Sequence, residues 1–152
     1  MCSSDLNKKL KNVVHHGLFF DVPFEQHGQE IYKDPSWPHA PLFYTSVASA
    51  TDEKAAPPGH ESLVFLIPVA SGLEGDTAEL RKKYFDLILS RMEQHIGEPI
   101  RDSIVYYKDY SVRDFRTDYN SFKGNAYGLA NTLLQTAIFR PACESKKVKN
   151  LF

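Results

Sequence analysis

The stretch LVFLIPVASGLEGDTAELRKKYFDLILSRMEQHIG, residues 63–97, decides the fold because it joins a strand pattern directly to a helix pattern. Residues 63–69 (LVFLIPV) are almost continuously apolar, which is typical of a strand covered on both faces of its sheet. Pro68 has no backbone N–H to donate, so its position predicts a sheet edge or a bulge at the end of this strand.

A long helix is predicted in the second half of the same stretch. Asp76 and Glu79 have the spacing of a capping box, with Asp in place of the usual Ser or Thr. Gly97 is a natural stop, because glycine adopts the left-handed conformation that ends many helices. The apolar stripe of this helix has one polar member, Arg91, and consists of Leu80, Tyr84, Leu87, Ile88, Arg91 and Met92.

Two strands and a helix are predicted upstream. Residues 13–20 (VVHHGLFF) have the composition of a largely buried strand, and residues 42–48 (LFYTSVA) that of a second one. Between them, Asp21 is placed to cap a helix that begins at Pro23 and ends before Pro35. The apolar face of this helix comprises Phe24, Gly28, Ile31 and Tyr32.

The downstream third has mixed signals. Residues 104–110 (IVYYKDY) predict a strand and residues 112–119 a short helix, followed by a loop over residues 120–130 that contains the motif GNAYG. Residues 132–139 are ambiguous between helix and strand. Residues 148–152 have the composition of a strand that is cut off as it starts, which suggests a truncated domain whose last strand would lack a partner.

The predicted element order, β-α-β-β-α-β, indicates an α+β fold in which helices pack on a largely antiparallel or mixed sheet. The 152 residues fit one domain, 1–152, and the formal charge of −1 implies no bulk attraction to nucleic acid. Cys2 and Cys143 have no metal-ligand spacing and predict a reducing compartment rather than a disulfide framework. No apolar run approaches the length of a membrane span.

The histidines and carboxylates give weak site signals. His15 and His16 are neighbours in a predicted strand, where they would point to opposite faces, and no ligand partner stands at metal spacing. His27 is expected to face solvent from the first helix. Asp114 and Asp118 share a helix face and could divide acid and base work, but nearby basic residues favour an ordinary charged surface. No metal is therefore expected.

Two further kinds of site have no matching pattern. No G-x-S-x-G nucleophile motif is present. A dinucleotide-binding turn needs G-x-G-x-x-G between a strand and a helix, and none of the glycines has that spacing. The chain alone is therefore expected to hold no flavin.

Aromatic residues are numerous along the predicted strands and loops. They usually build a core, which is the favoured interpretation here, but they can also line an elongated slot for a hydrocarbon. The residues in question are Phe19, Phe20, Phe43, Tyr44, Tyr106, Tyr107, Tyr110, Phe115, Tyr119, Phe122, Tyr127 and Phe139.

Three long segments resemble the phytoene desaturase family of carotenoid-desaturating flavoproteins. They are residues 15–49 (HHGLFFDVPFEQHGQEIYKDPSWPHAPLFYTSVAS), residues 51–74 (TDEKAAPPGHESLVFLIPVASGLE) and residues 114–141 (DFRTDYNSFKGNAYGLANTLLQTAIFRP). The second is similar to the family's "TDPSxAPxGxExLxxLxPV" segment. Their length makes the resemblance far more specific than any short motif.

The resemblance implies a fragment of an FAD-dependent enzyme that dehydrogenates phytoene or a related C40 polyene. It implies the substrate-side domain of an amine-oxidase-like fold without the Rossmann core, with residues 144–152 leading toward the missing flavin domain. The expected substrate-tunnel residues are Phe43, Tyr107, Tyr127 and Phe139, and Gly124, Asn125 and Gly128 are expected near flavin or substrate. No catalytic residue is assigned.

The resemblance also sets expectations for partners and location. The parent protein is expected in the cytoplasm, peripheral to the membrane that supplies its isoprenoid substrate. The chain alone is expected to be inactive and to self-associate through exposed apolar surface. The alternatives are a fragment of a related carotene isomerase or retinol saturase, or a stand-alone isoprenoid-binding module.

Overall fold

A computed structural model describes residues 1–129, 132–140 and 142–151, and over these residues it has the expected α+β architecture. The strands are β1 (Cys2–Leu6), β2 (His16–Phe19), β3 (Phe43–Ser46), β4 (Glu61–Leu66) and β5 (Ile104–Asp109). The helices are α1 (Phe24–Tyr32), α2 (Ala78–Ile96) and α3 (Val112–Tyr119), and the rest is loops and short 3-10 turns.

The sheet is antiparallel throughout, in the order β2-β3-β4-β1-β5, which confirms the predicted pairing type. Strand β1 was not predicted, although it lies inside the sheet between β4 and β5. Its sequence, CSSDL, is polar, and only Ser4 and Leu6 are buried. A strand of this composition is stabilised by ladder hydrogen bonds on both sides rather than by its own apolar surface.

Strand β4 is the middle strand of the sheet, but it is not buried on both faces as its apolar sequence predicts. Glu61, Leu63 and Phe65 are buried, whereas the residues between them are half-exposed. The strand ends at Leu66, so Pro68 lies beyond the ladder and forms neither an edge nor a bulge within it. The side chains of the continuous apolar run therefore alternate between a face of the sheet that is packed and a face that is partly exposed.

The core lies between α2 and one face of the sheet. The side chains that α2 buries there are Phe85, Ile88, Leu89, Met92 and Ile96. The predicted stripe was wrong in part, because Leu87 is exposed and Phe85, Leu89 and Ile96 were left out. Arg91 lies at the border of the packed face, where its guanidinium contacts Asp21 and the Pro41 carbonyl.

The two ends of α2 test the capping predictions. Thr77, not Asp76, is the N-cap, and its Oγ1 accepts a hydrogen bond from the Leu80 N–H at 3.2 Å. Asp76 stands one residue outside and binds Arg81 instead. Gly97 has φ 75° and ψ 21°, so the predicted left-handed stop is confirmed.

Helix α1 lies within the predicted bounds, but its buried face is displaced around the helix from the predicted one, of which Gly28 and Ile31 are half-buried. Phe24 and Tyr32 are exposed, whereas His27 and Glu30 are buried, His27 to 2% exposure. His27 Nδ1 accepts from the Leu42 N–H at 3.0 Å and Nε2 donates to the Pro68 carbonyl at 2.8 Å. The prediction that His27 faces solvent is wrong, because its ring joins three chain segments.

The beginning of α1 and strand β2 also differ from the sequence prediction. Asp21 makes no cap, because its carboxylate is paired with Arg91 on α2. Strand β2 covers only part of residues 13–20 and lies at the sheet's edge, with Leu18 69% exposed. It is therefore not the largely buried strand that its composition predicts.

In the last third, β5 and α3 confirm the predicted strand and helix. Ser111 and Asp114 form a complete capping box at the start of α3. Residues 120–129 are loop-like, as predicted, with one 3-10 turn, Phe122–Gly124.

Residues 132–139 form two 3-10 turns, Leu133–Gln135 and Ala137–Phe139, so neither interpretation of that segment was right. Residues 148–151 form bends and a turn instead of a strand, and Phe152 lies outside the described residues.

Candidate functional site

A groove of about 460 Å³ opens at the end of the sheet where β4 and β5 stop, and we call it the β4–β5 groove. Strands β4 and β5 both run antiparallel to β1, so their C-terminal ends emerge on the same side. The groove forms there, between residues 66–71 after β4, residues 109–112 after β5, the first turns of α2, and the loop 124–127. Its size is in the range of small-molecule sites.

The groove wall is mainly apolar. Its apolar side chains come from α1, the connector after it, the end of β4, and both α2 and α3. They are Ile31, Trp37, Leu66, Ile67, Val69, Leu80, Val112 and Phe115. A wall of this kind recognises a ligand by shape and by the apolar area that it removes from water.

Two aromatic residues of the wall have their polar atoms tied to backbone carbonyls. Trp37 Nε1 donates to the Glu74 carbonyl at 2.6 Å, and Tyr84 Oη donates to the Pro38 carbonyl at 2.7 Å. Burial, together with the nearby charge of Glu30, raises the pKa of Tyr84 to about 12. Both polar groups are therefore satisfied within the protein, and the rings are free to contact an apolar ligand.

The polar end of the groove is built around Arg81, which is only 9% exposed. Its Nε and Nη2 donate to the two carboxylate oxygens of Asp76 at 2.6 and 2.9 Å. Its Nη1 lies 2.7 Å from Asp109 and 2.7 Å from Asp114. One guanidinium thus joins the start of α2 to the end of β5 and the start of α3.

Electrostatics within this cluster favour the charged forms. Hydrogen bonding to Asp76, with smaller contributions from Asp109 and Asp114, raises the pKa of Arg81. Burial opposes ionisation of Asp76, but the Arg81 guanidinium and the Arg113 N–H outweigh it and lower the Asp76 pKa. Three carboxylates share one guanidinium, so this end of the groove is acidic.

The motif GNAYG borders the groove and folds back on itself. Asn125 Oδ1 accepts from the N–H groups of Tyr127 and Gly128 at 2.7 and 3.0 Å, and Asn125 Nδ2 donates to the Gly128 carbonyl at 2.6 Å. Gly124 is buried with φ 67°, and a Cβ there would meet the Val112 carbonyl oxygen at 2.3 Å. Gly124 therefore lets the loop pack directly on the start of α3.

The predicted site residues fall in different places. Gly124, Asn125 and Tyr127 line the β4–β5 groove, whereas Gly128 is not part of its lining. Phe43 lies in the core, stacked on Phe19 with ring centroids 4.2 Å apart. Their assignment to substrate or flavin stays a prediction.

The other two predicted tunnel residues lie away from the groove. The ring of Tyr107, on β5, packs 4.4 Å from that of Phe85, and its hydroxyl donates to Asp109 at 3.0 Å. Phe139 ends an exposed 3-10 turn. The structure therefore brings Gly124, Asn125 and Tyr127 together at the groove and places Phe43, Tyr107 and Phe139 away from it.

The histidine pair and the two helix carboxylates make no common site. The rings of His15 and His16 are stacked with centroids 4.0 Å apart, so the expectation of opposite faces was wrong, since His15 precedes β2. Asp114 binds Arg81, whereas Asp118 accepts from the Tyr110 hydroxyl at 2.6 Å. These carboxylates are thus engaged separately.

The sequence interpretation missed two buried carboxylates as well as His27. Glu61 accepts from Ser49 Oγ at 2.5 Å, the Leu10 N–H at 3.0 Å and Lys9 Nζ at 3.1 Å. Glu30 similarly accepts from His39 and Gln26. Burial opposes ionisation in both, but these hydrogen bonds outweigh it and lower both pKa values. Neither residue lines the groove, which points to structural roles.

Within the described ranges, no group of three or more His, Cys, Asp or Glu side chains is arranged to hold a metal ion. Over the same residues, no helix combines the length and apolar character that crossing a bilayer requires. The chemistry that the groove offers is therefore apolar binding next to an acidic end.

Comparison with known proteins identifies homologues of the chain. The chain is 41% identical over 138 residues to a carotenoid 3,4-desaturase of Haloarcula japonica, covering 91% of this chain and 28% of that protein. It is 28% identical over 149 residues to a lycopene-forming phytoene desaturase of Paracoccus sp., covering 97% and 30%. The chain is homologous to the carotenoid and phytoene desaturases. A dehydrogenase of Metabacillus indicus named for 4,4'-diapolycopen-4-al is 29% identical over 147 residues. No protein-family model matches.

The desaturase resemblance of the three sequence segments is thereby confirmed, and each segment contributes to the β4–β5 groove. Residues 15–49 supply Ile31 and Trp37, residues 51–74 supply the wall after β4, and residues 114–141 supply Phe115 and the GNAYG loop. The chain spans less than a third of the length of these relatives, since it covers 28–30% of each.

Proposed function

We propose that this chain is the substrate-side part of an FAD-dependent carotenoid desaturase, and that its β4–β5 groove holds a stretch of a C40 polyene. The observation that carries the proposal is the convergence of all three desaturase-like segments on one apolar groove. The reaction proposed for the whole protein removes two hydrogens from a saturated C–C bond of phytoene or a related carotenoid.

The groove chemistry suits such a substrate. A hydrocarbon chain has no polar group to hydrogen-bond, so its binding relies on the apolar surface that it buries. The wall supplies that area, and the polar atoms of Trp37 and Tyr84 are already satisfied by backbone carbonyls. Burying an apolar ligand there therefore leaves neither of these hydrogen bonds unmade.

The residues of this chain do not fit the flavin itself. A pyrophosphate is normally held by backbone N–H groups of a glycine-rich turn at a helix N-terminus, and the sequence has no G-x-G-x-x-G. Asp109 lines the groove, and Asp76 and Asp114 bind the same Arg81 guanidinium, so the excess negative charge of this cluster would repel a pyrophosphate. The redox cofactor in this proposal is bound by polypeptide outside this chain.

The remaining parts of the proposal concern the whole protein. In it, the α+β unit is the substrate domain of an amine-oxidase-like fold, and residues 144–152 lead toward the flavin domain. The protein is cytoplasmic and peripheral to the membrane that stores its substrate. The exposed Phe24 and Tyr32 on α1 support a lipid contact there, because both side chains suit the membrane interface.

Ligand binding can be tested through Trp37, the one tryptophan in the sequence, which lines the groove. All-trans-retinol, a small isoprenoid polyene, should quench Trp37 fluorescence in a saturable way. Val69→Asp places a charge in the groove wall and should weaken binding about tenfold, since an unpaired polar group against an apolar ligand costs about 1–3 kcal/mol.

The matched control is Val14→Asp, because Val14 lies in a separate groove beside β2. It should leave the affinity unchanged. Equal weakening by both substitutions, or no saturable quenching, would refute the assignment of the ligand to the β4–β5 groove.

Activity is tested in a chimera. This chain replaces the homologous 138-residue segment of the Haloarcula japonica desaturase, and the product is supplied with FAD and a carotenoid substrate. The proposal expects new conjugated absorption. A folded, flavin-loaded chimera that produces no such absorption with any carotenoid would favour a binding module or an isomerase relative instead.

A further inference from the structure

Strand β5 forms one edge of the sheet. It pairs with β1 on one side and, within the described part of the chain, with no strand on the other. Its side chains are exposed on both faces, with Val105 58%, Tyr106 50% and Tyr107 37% exposed. An edge of this kind is a template for another strand, because it presents unpaired N–H and C=O groups.

The hydrogen-bond pattern shows which backbone groups point outward. Met1 and Tyr110 exchange both backbone hydrogen bonds at 2.8 Å, so they form a hydrogen-bonded pair. In an antiparallel ladder such pairs alternate with non-hydrogen-bonded ones. The backbone N–H and C=O groups of Lys108 and Tyr106, which lie opposite Ser3 and Asp5, therefore point toward β1. Those of Tyr107 and Asp109 point away from β1, toward the open edge of the sheet.

We propose that β5 of one molecule pairs antiparallel with β5 of a second copy across a two-fold axis at Tyr107. Outward-facing residues must oppose outward-facing residues, which restricts the register to a few choices. If Tyr107 pairs with Asp109 of the second copy, Lys108 lies opposite the second copy's Lys108. If Asp109 pairs with the second copy's Asp109, two carboxylates lie opposite each other. Pairing Tyr107 with itself sets Lys108 opposite the partner's Tyr106, so this register avoids like charges.

This register continues the five-stranded sheet into a ten-stranded one and gives an isologous contact. Strand β2, at the other edge, is shorter and contains Gly17, whose lack of a side chain weakens pairing. The proposal is independent of the proposed enzymatic function.

Charge substitutions test the contact. Tyr106→Lys sets two lysines opposite each other at each of the two symmetric positions and should weaken dimerisation about tenfold, whereas the neutral Tyr106→Phe should leave dimerisation unchanged. The double substitution Tyr106→Lys with Lys108→Glu should restore the dimer. Sedimentation equilibrium from micromolar to millimolar chain measures the association, and circular dichroism checks each fold.

Cysteine cross-linking tests the register separately, in a Cys2→Ser, Cys143→Ser background. Tyr106→Cys combined with Lys108→Cys should give a disulfide-linked dimer on mild oxidation, because the two positions face each other across the axis. Each single cysteine should give none. A monomer at every concentration, a dimer indifferent to the Tyr106 charge, or cross-linking by a single cysteine would overturn the proposal.

Discussion

Gly124→Ala is the substitution whose cost follows most directly from the structure. The added Cβ would stand 2.3 Å from the Val112 carbonyl oxygen and 2.5 Å from its Cγ1. Neither atom can move freely, since the carbonyl belongs to the first turn of α3 and Val112 is buried. The loop must therefore withdraw from α3, and the groove wall between Val112 and Tyr127 must widen.

Gly128→Ala is the matched control in the same motif. Gly128 has φ 79°, close to the 67° of Gly124, but a Cβ there would have no atom within 4 Å. Both substitutions carry the cost of the left-handed region, about 1 kcal/mol. Only Gly124→Ala adds overpacking, about 1–3 kcal/mol, so we expect totals of about 3 kcal/mol for Gly124→Ala and about 1 kcal/mol for Gly128→Ala.

Urea unfolding followed by circular dichroism and by Trp37 fluorescence measures both losses. The difference between the two variants should appear as a lower midpoint at an unchanged slope. Retinol binding should weaken in Gly124→Ala and stay constant in Gly128→Ala. Equal midpoints for the two variants would refute the close packing of Gly124 on α3, and with it the shape of the groove.

The remaining predictions concern buried polar groups. Ser4 Oγ is buried without a hydrogen-bond partner, whereas Ser49 Oγ donates to Glu61 and accepts from the Ser62 N–H. Ser4→Ala should therefore raise the free energy of unfolding by about 1 kcal/mol and Ser49→Ala lower it by about 1–2 kcal/mol; the same sign in both would contradict this. Because the folded-state pKa of Glu61 is lowered, its stabilisation is complete above its unfolded value of 4.5 and is lost as pH falls through the folded pKa. Urea titrations at several pH values should show that the free energy of unfolding falls less steeply toward acid pH in Glu61→Gln than in the unsubstituted chain. The same pH dependence in both would refute the role of this carboxylate. Arg81→Met should cost about 2–3 kcal/mol, less than a fully buried pair because two of its carboxylates are partly exposed. Because Arg81 lowers the folded-state pKa of Asp76, this loss of stability should shrink as pH falls through that lowered pKa, and a pH-independent loss would indicate packing alone.

Local signals along the chain are enough to determine several elements of this protein. Strand β5, helix α3 and the stop of α2 at Gly97 all follow from capping, glycine and strand composition within a few residues. The homology to carotenoid desaturases also follows from the sequence, because long segments carry the resemblance. Such features depend on interactions between near neighbours along the chain, which any one-dimensional pattern contains.

The groove residues were only partly predictable. The GNAYG loop could be singled out by its glycines, but Trp37, Tyr84 and Arg81 had no signal that distinguishes them from ordinary aromatic or helix-surface residues. Arg81 meets Asp109 and Asp114 from 28 and 33 residues away in sequence. Phe43, chosen for its aromatic character, lies in the core, where the same apolar chemistry serves packing.

What the tertiary structure alone decided is burial. The polar strand β1 lies inside the sheet because β4 and β5 satisfy its backbone on both sides, and His27 is buried because two backbone groups reach its ring. Conversely, the apolar β2 lies at an edge because no further strand pairs with it within the described residues. Side-chain type sets the cost of burial, but the partners that offset this cost are brought together only by long-range pairing.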